Sequence, residues 1–329
     1  MPTLLNFRTD RKMSVIQFPE IKQVRAFAPA TVANVACGFD VLGFAVEQPG
    51  DEVTITETPK VGLTVESITG DDGKLPLAAD KNTATVAINA MLTHLKADVG
   101  IAIRINKMMP LGSGLGSSAA SAAAALVAVN HLLGNPLAKK DLVQFAMEAE
   151  RIACGAAHAD NVAPAILGGF VLIRSYQPLD IITIPAPENL YCSIVHPQIE
   201  LRTEDARKVL KQDISLKDAI NQWGNLAGLI AGLMRSDYEL IGRSLQDVVA
   251  EPIRSLLIPG FDEVKHAAID NGVLGCSISG SGPSVFALST NLAVAKKAGA
   301  AMQKALEQIG LDSELYVSKV NSKGAHVLK

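Results

Sequence analysis

Residues 110–120 read Pro110-Leu111-Gly112-Ser113-Gly114-Leu115-Gly116-Ser117-Ser118-Ala119-Ala120, and the chain runs on into SAAAALVAV. A loop almost without side chains thus leads straight into strong helix formers. The pattern predicts a helix from Ser118 to Leu133, ended by Gly134-Asn135-Pro136. Serine is a favourable N-cap, and the first N–H groups of a helix have no partner within it. Those donors and the positive end of the helix dipole form an anion site. The three alternate glycines are expected to clear room for a bulky anion such as a triphosphate. The loop lacks the Lys-Ser/Thr ending of a Walker A sequence, and its Gly-x-Gly-x-Gly spacing is not the Gly-x-Gly-x-x-Gly of dinucleotide folds. A flexible turn before a core helix is the bland alternative. The paired serines at the helix start favour phosphate binding.

Outward from this loop, composition narrows the field. The chain has 329 residues, enough for two domains with cores of their own. Hydrophobic residues make up 48% and aromatics only 4%, so Ala, Val, Leu and Ile must build those cores. Net charge is −3, with no basic block, which argues against a nucleic-acid partner. Cys37, Cys154, Cys192 and Cys276 are scattered without a CxxC pair, as free thiols in a reducing compartment would be. Charged residues interrupt the first twenty positions, so no signal peptide is expected there. The most apolar run, Ala119 to Val129, is too short to span a bilayer. A cytoplasmic protein with no membrane partner is the expectation.

Strand-like segments at residues 24–28, 53–58, 63–67, 101–105, 171–173 and 181–184 are interleaved with helical patterns at 82–95, 118–133 and 137–154. Past Pro185-Ala186-Pro187, a strand at 191–195 precedes helices near 204–210, 216–234, 239–249 and 261–271. A strand pair around residues 277–288, a helix at 292–309 and a strand at 314–320 complete the chain. The mixture lacks strict β-α-β alternation and reads as α+β. Expected boundaries are an extension over 1–23 and domains over 24–187 and 188–329.

Several polar residues sit where apolar ones are due. In the helix through Asp141–Ile152, Leu142, Phe145, Ala146 and Ala149 share one face, while Gln144, Glu148 and Arg151 share the other. Glu150 falls within the apolar arc. A carboxylate there is a solvated edge residue, a structural ion pair, or a ligand for a cation held against phosphate, a role that suits Mg²⁺. In residues 158–170, HADNVAPAILGGF, the polar group His158, Asp160 and Asn161 precedes an apolar helix that Asp160 or Asn161 could simply cap. In residues 28–44, APATVANVACGFDVLGF, Asn34 and Asp40 stand among small and apolar neighbours, and a bound ligand would give them partners.

Taken in order, the segments at 28–44, at 110–121 and at 277–288 (SISGSGPSVFAL) resemble the three motifs of the GHMP kinase superfamily. Residues 158–169 and 250–260 (AEPIRSLLIPG) are similar to its homoserine kinase branch, and the likeness runs from about Val24 to Val320. The resemblance implies a two-domain α+β fold, a ribosomal protein S5 domain 2-like N-terminal domain and a ferredoxin-like C-terminal one. It implies transfer of the ATP γ-phosphoryl group to the side-chain hydroxyl of L-homoserine, in a chain that could form a homodimer. Pro110, Leu111, Gly112, Ser113, Gly114, Leu115, Gly116, Ser117 and Ser118 would then wrap the nucleotide phosphates, and Asn82 would lie on the adenine side. Ser118 and Glu150 correspond to the family's Mg²⁺ ligands. Asn34, Asp40, His158, Asn161, Arg207 and Arg254 correspond to its amino-acid site. There the two arginines would fork onto the substrate carboxylate and Asp40 would take its ammonium. Thr203 matches a position near that site and would equally serve as the cap of the helix at Glu204; Arg202 ranks below Arg207.

Two mechanisms follow from the resemblance. Asp160 aligns with the base of several relatives; alternatively, Asn161 binds the attacking hydroxyl and no base is used. A loose phosphoryl transition state needs positioning and electrostatics more than early proton removal, which favours the second. A mevalonate-type kinase would not need two arginines and an aspartate arranged for a zwitterion. A non-catalytic sensor would not need Ser118, Glu150 and Asn161 together.

Overall fold

The computed structural model describes residues 22–154 and 158–329. Strand β1 (Gln23–Ala33) and the long β2 (Leu42–Thr58) pair antiparallel from Gln23↔Thr56 to Ala33↔Gly43. Both extend beyond the segments expected from the sequence. From Phe27 onward every residue of β1 is buried, so the strand shows a continuous apolar run instead of alternation. The same run, read one residue at a time, resembles a loop of small residues. Then come β3 (Gly62–Thr69), α1 (Thr83–Leu95) and β4 (Gly100–Asn106); β3 and β4 are parallel, joined through α1. Helices α2 (Ser117–Leu132), α3 (Val143–Cys154) and α4 (Val162–Leu167) follow, with β5 (Phe170–Tyr176) and β6 (Leu179–Ile184). The helix expected over 137–154 is divided by a 3₁₀ turn at Lys139–Leu142, after which α3 begins.

The chain enters a second sheet with β7 (Tyr191–Pro197) and passes through α5 (Thr203–Lys208), α6 (Leu216–Arg235), α7 (Tyr238–Ser244), α8 (Glu251–Arg254) and α9 (Phe261–Ile269). It continues with β8 (Gly275–Ile278), β9 (Val285–Ser289), α10 (Leu292–Gln308), β10 (Ser313–Lys319) and β11 (His326–Val327). The expected helix at 239–249 stops at Ser244 because Asp247 turns the chain. Its carboxylate accepts from the N–H groups of Val249, Ala250 and Glu251 at 2.8, 3.0 and 2.8 Å, which starts α8 instead.

Among the described residues the first sheet runs β11-β1-β2-β4-β3, with β5 on the start of β2 and β6 beyond it. The second runs β10-β7-β9-β8, antiparallel throughout. In chain order these four strands stand 4-1-3-2 with helical crossovers, a ferredoxin-like arrangement. The last residues return to the first sheet, where Val327 pairs with Ala26. Residues 188–329 therefore do not all belong to the second sheet.

Strand alternation divides the core. Ile194, Phe286 and Leu288 face a core shared with the first sheet, whereas Val195, Val285 and Ala287 face α9 and α10. Phe44 of β2 stands 4.8 Å from Phe170 of β5 and 6.0 Å from Phe286 of β9, ring centre to ring centre, so aromatic packing crosses the seam. Helix α2 is buried nearly all round, which its alanines allow by letting neighbours approach closely. Among the described residues no helix is long and apolar enough to cross a membrane.

Candidate active site

A cleft of ≈390 Å³ opens at this seam, beside the start of α2. In the loop ahead of α2, Gly112, Gly114 and Gly116 have φ of 64°, 76° and 68°, a left-handed region that favours glycine. Gly116, not a serine, is the N-cap, and it supplies no side-chain bond. A Cβ on Gly114 would fall 2.4 Å from the Ser279 carbonyl oxygen and 2.7 Å from that of Gly282; one on Gly116 would fall 2.2 Å from Thr31 Oγ1. At Gly114 and Gly116 the bare positions thus accommodate other protein segments, so for these two the expectation that they clear space for an anion is corrected. The segment around Ser279 fastens the loop: Ser279 Oγ donates to the Gly114 carbonyl at 2.8 Å and Ser284 N–H to that of Ser113 at 3.2 Å.

The remaining features do suit phosphate. Ser113 Oγ and Ser117 Oγ are buried without a hydrogen-bond partner among the described residues, and both residues line the cleft. Buried hydroxyls rarely stay unpaired, and phosphate oxygens would satisfy them together with the first N–H groups of α2. Leu111, Gly112, Gly114, Gly116 and Ser118 line the same wall. Pro110 lies outside the cleft, and Leu115 is fully buried, with its carbonyl accepting from Thr31 N–H at 3.0 Å.

Glu150 projects from α3 to the start of α2, where Ser118 Oγ donates to its Oε1 at 2.6 Å. It is 7% exposed, in keeping with its place on the apolar arc. A carboxylate and a hydroxyl beside a phosphate site are hard oxygen donors of the kind Mg²⁺ takes, with water and phosphate completing its shell. The donor set fits the ion.

Asp160 and Asn161 lie across the cleft, just ahead of α4. Asn161 occupies the N-cap position of α4, yet its side chain makes no capping bond. It accepts from Thr31 Oγ1 at 2.7 Å instead, so the simple capping reading fails for it. Burial, with Asp40 and Glu150 nearby, pushes the Asp160 carboxyl up to about 7.

The other wall holds opposed charges. Arg207 Nη1 and Nη2 donate to the two oxygens of Asp40 at 2.8 and 2.9 Å, a bidentate pair. Arg254, 3% exposed, donates from Nε to the Ala206 carbonyl and from Nη1 to that of Gly280, each at 3.1 Å. Both guanidinium groups lie over the Phe39 ring, at 5.6 and 4.9 Å from its centre, so one aromatic ring serves two like charges. His158 Nδ1 is 3.6 Å from Asp40, and burial lowers its pKa against the pull of that carboxylate. Asn34 serves the protein: its Nδ2 donates to the Gly280 carbonyl at 2.8 Å and its Oδ1 accepts from Asp40 N–H at 3.0 Å. It opens a left-handed run with Val35 and Ala36, at φ of 69°, 44° and 58°; strain of this kind clusters at functional sites. Thr203 Oγ1 stands 3.2 Å from Ser281 Oγ; the cap of α5 is Arg202, so the capping alternative for Thr203 falls away. Asn82 lines the far end of the cleft and caps α1 through a bond from Ala84 N–H at 3.0 Å.

Comparison with known proteins matches the two domains to family models. Residues 82–169 match "GHMP kinases N terminal domain" and residues 229–308 match "GHMP kinases C terminal". The homoserine kinase of Chlorobium phaeovibrioides is 57% identical over 320 residues, covering 94% of this chain and 100% of that one. The chain belongs to the homoserine kinase family. A crystal structure of homoserine kinase from Cytophaga hutchinsonii, 55% identical, superposes with a TM-score of 0.91 over 99% of this chain and 100% of that one. A mevalonate kinase from L. major shares the fold alone, at 18% identity and a TM-score of 0.67 over 92% and 98% of the two chains.

Within this family frame, several residues in or beside the cleft escaped sequence reasoning. Lys107 is buried and ion-paired with Asp51, while its Nζ donates to the Ser117 carbonyl and to Ser121 Oγ, each at 2.8 Å. Burial lowers its pKa despite that carboxylate. A signal for it existed: Ile101, Ile103 and Ile105 alternate onto the buried face, and Lys107 is next in that period. Tyr176 OH donates to the Asp40 carbonyl at 2.7 Å and accepts from Ala159 N–H at 3.2 Å, joining two site loops. Nothing local to Tyr176 or Phe39 announces these contacts. Cys37, Cys192 and Cys276 are free and buried, as expected, whereas the side chain of Cys154 lies outside the described residues.

Proposed function

We propose that this chain transfers the γ-phosphoryl group of ATP to the side-chain hydroxyl of L-homoserine, giving O-phospho-L-homoserine and ADP, as a step of threonine biosynthesis. One observation carries the choice of acceptor. Asp40, Arg207 and Arg254 gather on the wall of the same cleft that holds the loop before α2. A zwitterionic amino acid brings the ammonium and carboxylate that such a set matches. Arg254 has committed Nε and one Nη1 hydrogen to carbonyls, so its Nη2 edge is available for a carboxylate. Asp40 exchanges part of its pairing with Arg207 for the substrate ammonium.

On this reading Ser113, Ser117 and the first N–H groups of α2 hold the phosphates. Asn82 stands at the adenine end, and Lys107 holds the first turn of α2 through the Ser117 carbonyl. Ser118 and Glu150 hold Mg²⁺, which when bound neutralises charge on the phosphates. Asn161 fixes the acceptor hydroxyl in line with the γ-phosphorus. As the new O–P bond forms, the bond from the γ-phosphorus to the bridging oxygen breaks, and the hydroxyl proton departs late to a phosphoryl oxygen. This route draws its rate from positioning and charge stabilisation. Asp160 supplies electrostatic shape beside the reacting centre.

Purified protein assayed for ADP release with Mg-ATP and L-homoserine, mevalonate or galactose tests the reading. L-Homoserine is expected to give the highest kcat/KM. A higher value for either of the other two would overturn it.

A further inference from the structure

Thr31 lies in the most apolar stretch of β1, with an exposure of 0%. A hydroxyl there must find a partner within the protein. It finds Asn161, 130 positions away in sequence, and Thr31 Oγ1 donates to Asn161 Oδ1 at 2.7 Å. The backbone of the same residue faces the phosphate loop: Thr31 N–H donates to the Leu115 carbonyl at 3.0 Å. The three segments meet so closely that a Cβ on Gly116 would lie 2.2 Å from Thr31 Oγ1 and 2.9 Å from Asn161 Oδ1.

We propose that Thr31 is a positioning residue for phosphoryl transfer, fixing the amide of Asn161 against the loop that holds the phosphates. The inference rests on the reaction proposed above. Its physical content is the assignment of one oxygen. Asparagine at an N-cap ordinarily has an extended backbone and turns its Oδ1 back to the helix N–H groups. Asn161 instead has a helical backbone, at φ −97° and ψ −50°, makes no capping bond, and its Oδ1 accepts from the Thr31 hydroxyl. With Oδ1 held, Asn161 presents its Nδ2 hydrogens to the cleft, as a donor to substrate or phosphoryl oxygen. Removing the hydroxyl frees the amide to flip, and the donor leaves the reacting centre. The effect falls on kcat, since neither the Arg254 edge nor the phosphate wall depends on this bond.

Five proteins test this: wild type, Thr31→Val, Thr31→Ser, Asn161→Ala and the double variant Thr31→Val/Asn161→Ala. Thr31→Val keeps the shape and loses the hydroxyl. Its kcat is expected to fall about 10- to 100-fold, the range a misplaced contact at a reacting centre commands, with KM values for both substrates within about threefold. Thr31→Ser should restore kcat to within about twofold of wild type. In the Asn161→Ala background, Thr31→Val should cost nothing further, because the residue acts through Asn161. Unchanged kcat in Thr31→Val, failure of Thr31→Ser to restore it, or an equal loss in the Asn161→Ala background would each overturn the proposal. If Thr31→Val does not fold, Thr31→Ala, which also removes the donor, replaces it under the same criteria.

A readout without turnover separates this inference from the reaction it rests on. The side-chain amide signal of Asn161, assigned by its loss in Asn161→Ala, should shift or broaden in Thr31→Val and not in Thr31→Ser. An inactive wild type with that pattern would refute the reaction and retain the contact. An unmoved amide signal would refute the positioning role.

Discussion

Replacing Asp160 with asparagine keeps the shape of the side chain and removes its charge, and the structure makes opposite predictions for stability and for chemistry. Asp160 is 4% exposed, and its carboxyl is raised from the ordinary 3.8 to about 7 by burial first, then by Asp40 and Glu150. Between those two values the native chain binds the proton that the unfolded chain has released. Stability from this group therefore falls as pH rises from about 4 to about 7, and the loss is complete above that. At 1.36 kcal/mol for each pH interval between 3.8 and about 7, the destabilisation in the ligand-free protein at pH 8 is on the order of 4 kcal/mol. Asp160→Asn escapes this destabilisation. Urea unfolding of both proteins without ligands at pH 5, 6, 7 and 8 should show the variant gaining steadily on wild type, reaching about 2–4 kcal/mol at pH 8. Chemistry should suffer little: single-turnover phosphoryl transfer under saturating Mg-ATP and homoserine is expected to slow about tenfold or less. A general base contributes typically 10²–10⁴-fold, so a loss in that range in the folded variant would make Asp160 the base. A stability difference that does not change with pH, or a variant less stable than wild type at pH 8, would refute the account of the buried carboxyl.

Two other substitutions test the phosphate wall. Glu150→Gln keeps a partner for Ser118 and removes the anionic oxygen. Turnover should drop at least about 100-fold, with the Mg²⁺ dependence moved to higher concentration and Tm shifted by about 2 °C or less; an unfolded or fully active variant would count against a metal role. Gly114→Ala places a methyl at φ 76°, 2.4 Å from the Ser279 carbonyl oxygen. It should cost about 1–3 kcal/mol in stability and weaken ATP binding by calorimetry more than homoserine binding, whereas wild-type Tm and affinity would show that the loop contact is unimportant.

Short-range physics made much of this protein legible from its residues. The helix after the glycine loop and its Gly-Asn-Pro ending follow from propensity and capping, which act within a few residues. The inward face of Glu150 follows from helical period. Motif likeness, a matter of order along the chain, pointed to the family. The sequence also led to errors where two-sided burial hid the second half of a strand, as in β1, and where a single carboxylate, Asp247, redirected a helix.

Tertiary structure alone decided what those residues touch. Why the loop glycines must be glycine depends on Ser279, Gly282 and Thr31, far away in the chain. That Asp40 rests on Arg207, that Phe39 carries two guanidinium groups, and that Thr31 holds Asn161 are facts about residues 130 to 215 positions apart or joined across the seam of two sheets. Local periodicity records which face of an element is buried, but not its partner. The partner is set by how the sheets share one core, and the charge balance at Asp160, which burial, the distant Asp40 and the nearer Glu150 determine, is set with it.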